Sequence, residues 1–332
     1  MKNILLISIF ALSLVCCNNP SQRGKSAAAD SAASATPRVD VPSFNKDSAY
    51  AYVVAQLAFG PRVPGSPAHE KCAEYITTKL QSWCKDVIVQ KCRMAAYNGK
   101  MLDGKNIIAS WKPELKNRIV LCSHWESRPW ADHDPDPKLR RQPVDAANDG
   151  ASGVGILMEA ARQFSIKEPT IGIDIVLFDL EDYGPPQDVS QGDDKWWGLG
   201  SQYWAQNPHK QGYSARYGIL LDMVGAQGAT FLLEGFSQQN AGDIQQKIWD
   251  TGNRIGYSSF FLYEKGGFVT DDHIFIMKYM NIPVVDLIQL DKSTESGFNS
   301  TWHTTHDNLA SIDANTLKAV GQTVLTVVYE DQ

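Results

Sequence analysis

His124, Asp149, Glu181, Asp182, Asp222 and His303 are the side chains in this sequence best suited to hold a divalent metal or to move protons beside one. A catalytic zinc takes three protein ligands from His, Asp, Glu or Cys and keeps one position open. A carboxylate beside such a centre can transfer protons during the reaction. Each residue also has an ordinary explanation. Asp149, in Asn148-Asp149-Gly150-Ala151-Ser152-Gly153, could simply cap the helix that follows. Glu181 and Asp182 could be loop carboxylates. His303 and His306, within Trp302-His303-Thr304-Thr305-His306-Asp307, could belong to a packed loop. Taken singly these signals are weak, so the elements that would carry them decide their weight.

Helical patterns cover 45–59 and 68–84, and strand-like runs cover 86–93 and 106–111. An alternation follows, with strands at 118–123, 173–179, 217–223 and 282–288. Between and after them, helices are predicted at 151–165, 198–206, 238–255, 272–280 and 313–330, the last capped by Asp313. Short apolar strands alternating with helices imply an α/β three-layer sandwich: a central mixed, mostly parallel β-sheet flanked by helices. In such sheets, functional groups gather beyond the C-terminal strand ends. His124, the Glu181-Asp182 pair and Asp222 all fall there.

The first 17 residues read as an export signal, with Lys2 ahead of an apolar run from Ile4 to Val15. The run is too short to span a bilayer and ends at Cys16-Cys17. This junction resembles the lipobox of bacterial lipoproteins, with Cys17 the better acylation site and Cys16 the alternative. That implies export to the periplasm of a Gram-negative bacterium, on the inner membrane or the inner face of the outer membrane. Contact with the membrane would be through the lipid anchor only. Residues 18–42 are rich in Ser, Ala and Pro and read as a flexible linker, leaving 43–332 as a single catalytic domain. Cys72, Cys84, Cys92 and Cys122 form no C-x-x-C pair, so a Cys-based zinc site is disfavoured and any disulfide pairing stays open. With a net charge of −6 and no basic run, the chain is a poor partner for nucleic acid.

Taken together, the motifs resemble the zinc-aminopeptidase superfamily. Its domains carry H-x-D, N/T-D-x-A-S-G, F-x-x-E-E, a strand-end D and H-T-x-x-D in this order. Here these read His124-Trp125-Glu126, Asn148 to Gly153, Phe178 to Asp182, Asp222, and His303 to Asp307. Several stretches resemble its glutaminyl cyclase branch more specifically: Pro186-Gln187-Asp188, Gly200-Ser201, Leu221 to Ala226, Gly266 to Ile274, and Phe298 ahead of Trp302-His303-Thr304. The resemblance implies one zinc ion held by Asp149, Asp182 and His303. Glu181 would be the acid/base, Asp222 and Asp271 further catalytic acids, and Trp302 and Phe298 pocket walls. The activity implied is conversion of N-terminal Gln of peptides or proteins into pyroglutamate with loss of ammonia. The alternative is a two-zinc aminopeptidase of the same superfamily, with His124 and Asp222 completing a second metal site.

Several positions depart from the branch. Asp182 stands where it has Glu, and Glu126 where it has Asp. Thr270 replaces a Gln, and Asp286 replaces a His found in the animal enzymes. The branch's loop Trp is missing, and Trp196 and Trp197, in a longer loop from Asp193, are the candidates to replace it as substrate-binding residues.

Overall fold

The structure, a computed structural model, describes residues 39–189 and 192–331. The export signal, Cys16, Cys17 and most of the predicted linker therefore lie outside the described residues. The linker's last residues do not behave as a linker: Val39 and Val41 pack against the core, and the Gln322 side chain donates to the Pro42 carbonyl at 3.1 Å.

Helices α1 (Lys46–Leu57) and α2 (Pro67–Gln81) come first. Both are capped as their sequences dictate. Asn45 accepts from two backbone N–H groups at the start of α1, and Ser66 from His69 at the start of α2. Strands β1 (Asp86–Ala95) and β2 (Met101–Trp111) form an antiparallel hairpin. Its turn runs through Asn98-Gly99, with Gly99 at φ 79°, the backbone geometry such a loop demands. The alternation follows: β3 (Arg118–His124), α3 (Ala151–Ile166), β4 (Gly172–Phe178), α4 (Leu199–Gln206), β5 (Gly218–Asp222). Then come β6 (Phe231–Leu233), α5 (Gly235–Arg254), β7 (Phe261–Lys265), α6 (Asp272–Met280), β8 (Val284–Ile288) and α7 (Ala314–Glu330).

The main sheet runs β1-β2-β4-β3-β5-β8. The β4-β3-β5-β8 portion is parallel and the β1 and β2 edge is antiparallel. Its central strands are apolar throughout because both faces are covered. Along β3, Ile119 and Leu121 join one core cluster while Val120 and Cys122 join the other. The first cluster takes side chains from α1, α2, α3, α5 and α7, and the second from α4 and α6. The three-layer α/β sandwich expected from the alternation is therefore the fold. From β3 the chain steps sideways to β4, then returns across β3 to β5. That reversal opens a crevice at the C-terminal strand ends.

The differences from the sequence reading lie at the edges. Strand β2 begins at Met101, because its first half is covered on one face only: Leu102 and Gly104 are buried while Met101 and Asp103 are exposed. Strands β6 and β7, a two-stranded parallel sheet, were not predicted. Three residues of β6 are too few for a periodic pattern to register. All four cysteines in the body are buried free thiols, so no disulfide forms among them.

Candidate active site

Helix α3 begins where β3 and β5 end, and its glycines allow the approach. A Cβ on Gly150 would lie 2.5 Å from the His124 carbonyl oxygen, and one on Gly153 would lie 2.3 Å from both the Leu221 carbonyl and Ser123 Oγ. Asp149 does not cap this helix: the N-cap is Gly150, with no side-chain cap. Instead Asp307 accepts from the backbone N–H groups of Asn148 (2.8 Å) and Asp149 (3.1 Å). This turns the Asp149 carboxylate toward two imidazoles. Asp149 Oδ1 is 2.9 Å from His124 Nε2, and Asp149 Oδ2 is 3.5 Å from His303 Nε2.

The remaining groups arrive on tight turns. Ala146, Leu180, Met223 and His303 all take positive φ values of 48–61°. Each sits next to or within the site, where such strain is held only by dense surroundings. Leu180 turns the chain after β4 so that Glu181 and Asp182 come back over the strand ends. Glu126 accepts from the Asp182 backbone N–H at 2.8 Å and so orients that neighbour. Asp182 Oδ1 is 3.2 Å from His303 Nε2.

Ligand atoms of Asp149, Asp182 and His303 lie within 4.8 Å of one another, as do those of His124, Asp149 and Asp222. The first trio fits zinc. Ligand atoms on one tetrahedral zinc, each ~2.0–2.1 Å from the metal, stand roughly 3.3 Å apart, close to the observed 3.2 and 3.5 Å. Burial and the nearby Arg128 hold the His303 imidazole well below its usual range, hence neutral and able to bind a metal. Burial and neighbouring Asp149 push Asp182 well above the usual carboxylate range, a repulsion that a dication relieves. Asp182 Oδ2 is buried without a hydrogen-bond partner. In the second trio, His124 Nε2 hydrogen-bonds with Asp222 Oδ1 at 3.2 Å and lies 2.9 Å from Asp149 Oδ1.

A pocket of about 280 Å³ opens onto the first trio. Asp149, Glu181, Asp182, Asp222, Asp271 and His303 form its polar floor, and Trp197, Phe298, Trp302, Phe268, Val269 and Ile288 its apolar walls. Burial lifts Glu181 well above its usual range, with Asp271 and Asp182 adding to the shift. Asp222 is raised to about 6 by burial and Asp149, and Asp271 to about 7 by burial and Asp222. Trp302 stacks on His303 at 3.7 Å, Phe298 packs on Trp302 at 4.6 Å, and Trp197 lies parallel to His303 at 6.3 Å. Trp197 reaches this position across Gly184, where a Cβ would stand 2.3 Å from its ring. Trp196 does not line this pocket. It lies in a separate surface recess with Tyr97 and Pro185, because the two neighbouring side chains leave the 3₁₀ turn in different directions.

Sequence reasoning missed Arg128 and Asp132. Arg128 is buried, forms a forked pair with Asp132 (2.7 Å to each oxygen) and reaches Asp182 at 3.1 Å. It also sits over the Trp197 ring at 5.0 Å. A lone Arg in a Ser-Arg-Pro stretch gives no hint of this. Asp286, the replacement for a His, is buried 3.7 Å from His273 Nδ1, and its carboxylate oxygens lack hydrogen-bond partners.

The sequence profile of peptidase family M28 matches residues 106–328. Among solved structures, the chain is similar to a glutaminyl cyclase of Bacteroides thetaiotaomicron bound to N-acetylhistamine. Identity is 50% over 88% of this chain and 100% of that one, with a TM-score of 0.87. It is also similar to a leucine aminopeptidase precursor from the same organism, at 49% identity over 89% of this chain and 100% of that one, with a TM-score of 0.86. The glutaminyl-peptide cyclotransferase of Bos taurus is 26% identical over 81% of this chain and 78% of that protein.

Proposed function

The chain belongs to peptidase family M28, and from its glutaminyl cyclase relatives and its site we propose that it works as a glutaminyl-peptide cyclotransferase with one zinc ion per chain, held by Asp149, Asp182 and His303. The observation that carries this reading is the pocket, which sets one ligand trio at zinc spacing and fills its walls with Trp197, Phe298 and Trp302. Walls of this kind hold the methylenes of a Gln side chain and exclude the water that hydrolysis needs.

Cyclisation forms a bond between the substrate's α-amino nitrogen and its γ-amide carbon. It breaks the bond from that carbon to the amide nitrogen, which departs as ammonia. When bound, zinc supplies Lewis-acid polarisation of the γ-carbonyl. Glu181, beside the ligand Asp182, takes the proton from the attacking amine and returns it to the leaving nitrogen. Its raised pKa suits both halves of that task. Burial and Asp149 raise Asp222 to about 6, and burial and Asp222 raise Asp271 to about 7, so Asp271 can hold a proton near neutral pH. They face the leaving nitrogen as hydrogen-bond partners.

One specific observation favours the two-zinc aminopeptidase as a second reading: the His124, Asp149 and Asp222 trio shares Asp149 with the first. The hydrogen bond between His124 Nε2 and Asp222 Oδ1, at 3.2 Å, speaks for a hydrogen-bonded pair there instead. The test is to incubate the zinc-loaded protein with a Gln-initiated dipeptide, following ammonia, product mass and zinc content. Ammonia release with the peptide bond intact, at about one zinc per chain, is the expected result. Free Gln with two zincs per chain would establish the peptidase. Natural substrates would be exported peptides or proteins with N-terminal Gln, met by an enzyme tethered in the periplasm through acylated Cys17.

A further inference from the structure

Phe268 is 60% exposed. Of the residues lining the pocket, it alone is exposed, and the others are buried or half-buried. A solvent-facing aromatic usually sits on a loop free to fold it away, but this one is fixed. The Gly235 N–H donates to the Gly267 carbonyl at 2.8 Å, and the Gly266 N–H to the Leu233 carbonyl at 2.6 Å. The Val269 N–H donates to Glu234 Oε1 at 3.1 Å. The Phe268 ring meets Phe236 edge-on at 4.9 Å. It also lies over Gly235, where a Cβ would stand 2.6 Å from it. Backbone bonds on both sides and a glycine beneath the ring hold apolar surface in water at the mouth of the site. A ring braced in this way offers a fixed apolar contact to a chain crossing the mouth of the site.

The substrate's geometry names that contact. With the Gln side chain and α-amine at the acidic floor, the rest of the peptide leaves across the rim, beginning with its second residue. We infer that Phe268, backed by Phe236, forms a subsite for an apolar or aromatic side chain at the second position of the substrate. This rests on the cyclase reading above and adds a selectivity to it. The rigid ring gives an apolar second residue a partly desolvated face, while a small or acidic one gains nothing there.

The experiment compares kcat/KM for Gln-Phe-amide, Gln-Gly-amide and Gln-Asp-amide in the zinc-loaded wild type, Phe268→Ala and Phe268→Leu. Apolar contacts of this size discriminate at the lower end of about 10–200-fold. Wild type is expected to prefer Gln-Phe-amide over Gln-Gly-amide about tenfold, carried mainly by KM. Phe268→Ala brings that ratio close to one, and Phe268→Leu restores much of it. A wild-type ratio near one overturns the subsite. So does a ratio that survives Phe268→Ala, or one that Phe268→Leu abolishes as fully as Ala does. If wild type releases no ammonia from any of the three, the cyclase reading fails instead, and the two failures are separate.

Discussion

At the scale of single residues, the site divides its carboxylates by environment. Asp149 makes close contacts with His124 and His303, while Glu181 is buried among Asp271, Asp182 and Asp272. Burial and these acids outweigh the nearby His124 and keep Glu181 able to hold a proton, which is what a proton shuttle requires. Glu181→Gln should retain one zinc per chain and lower kcat roughly 10²–10⁴-fold. Metal analysis beside steady-state assays would check this, and turnover near the parent value would remove Glu181 from the mechanism. The order of motifs made Glu181, Asp182, Asp149 and His303 legible. Arg128 was not legible, because a buried cation announces itself only by the acids around it, and those come from distant segments.

At the scale of elements, precision comes from close backbone approach. Helix α3 presses its first turn onto the ends of β3 and β5 through Gly150 and Gly153. Adding one methyl group at Gly153 would force it into Ser123 Oγ and the Leu221 carbonyl, both 2.3 Å away. Gly153→Ala should cost about 1–3 kcal/mol of stability through overpacking. Because Asp149 lies two residues ahead of α3, displacing the helix start would shift it, and zinc affinity should fall too. Urea unfolding with and without zinc, together with a chelator competition, would measure both. Unchanged zinc affinity would mean that the helix end does not set the ligand position. The Trp-bearing loop is the converse case. From sequence, Trp196 and Trp197 were equivalent, but only Trp197 has a backbone without a side chain, at Gly184, to lie against.

At the scale of the whole molecule, buried charge sets the response to acid. Against the burial that pushes them up, Arg128 holds Asp132 at about 2 and His273 holds Glu234 at about 2. Both values lie below those of the unfolded chain, so each group contributes stability that is fully present above the ordinary carboxylate range. That contribution is lost as pH falls from about 4.5 toward 2. For Asp132 it is about 2 kcal/mol. Between pH 4 and 3 the urea midpoint of Asp132→Asn should fall less than that of the parent protein. Equal slopes in both proteins would show that the Arg128 pair is not responsible. Under the proposed lipid anchor, Cys17→Ser should move the protein from the membrane fraction to the soluble fraction. Unaltered fractionation would dismiss Cys17 as the site of the lipid anchor.

The sequence by itself determined the sandwich, since strands buried on both faces must be apolar throughout and helices must cover them. It also determined which acids and imidazoles stand at the strand ends, because strand order and length place them there. Tertiary structure alone decided how they pair. The choice of Asp149 as the residue facing both His124 and His303 depends on Asp307, far along the chain, accepting from its backbone. The fixing of Phe268 at the pocket mouth depends on hydrogen bonds between two loops that carry no periodic signal. Local patterns record what a segment buries. Which partner completes a buried polar group is a property of the packed whole.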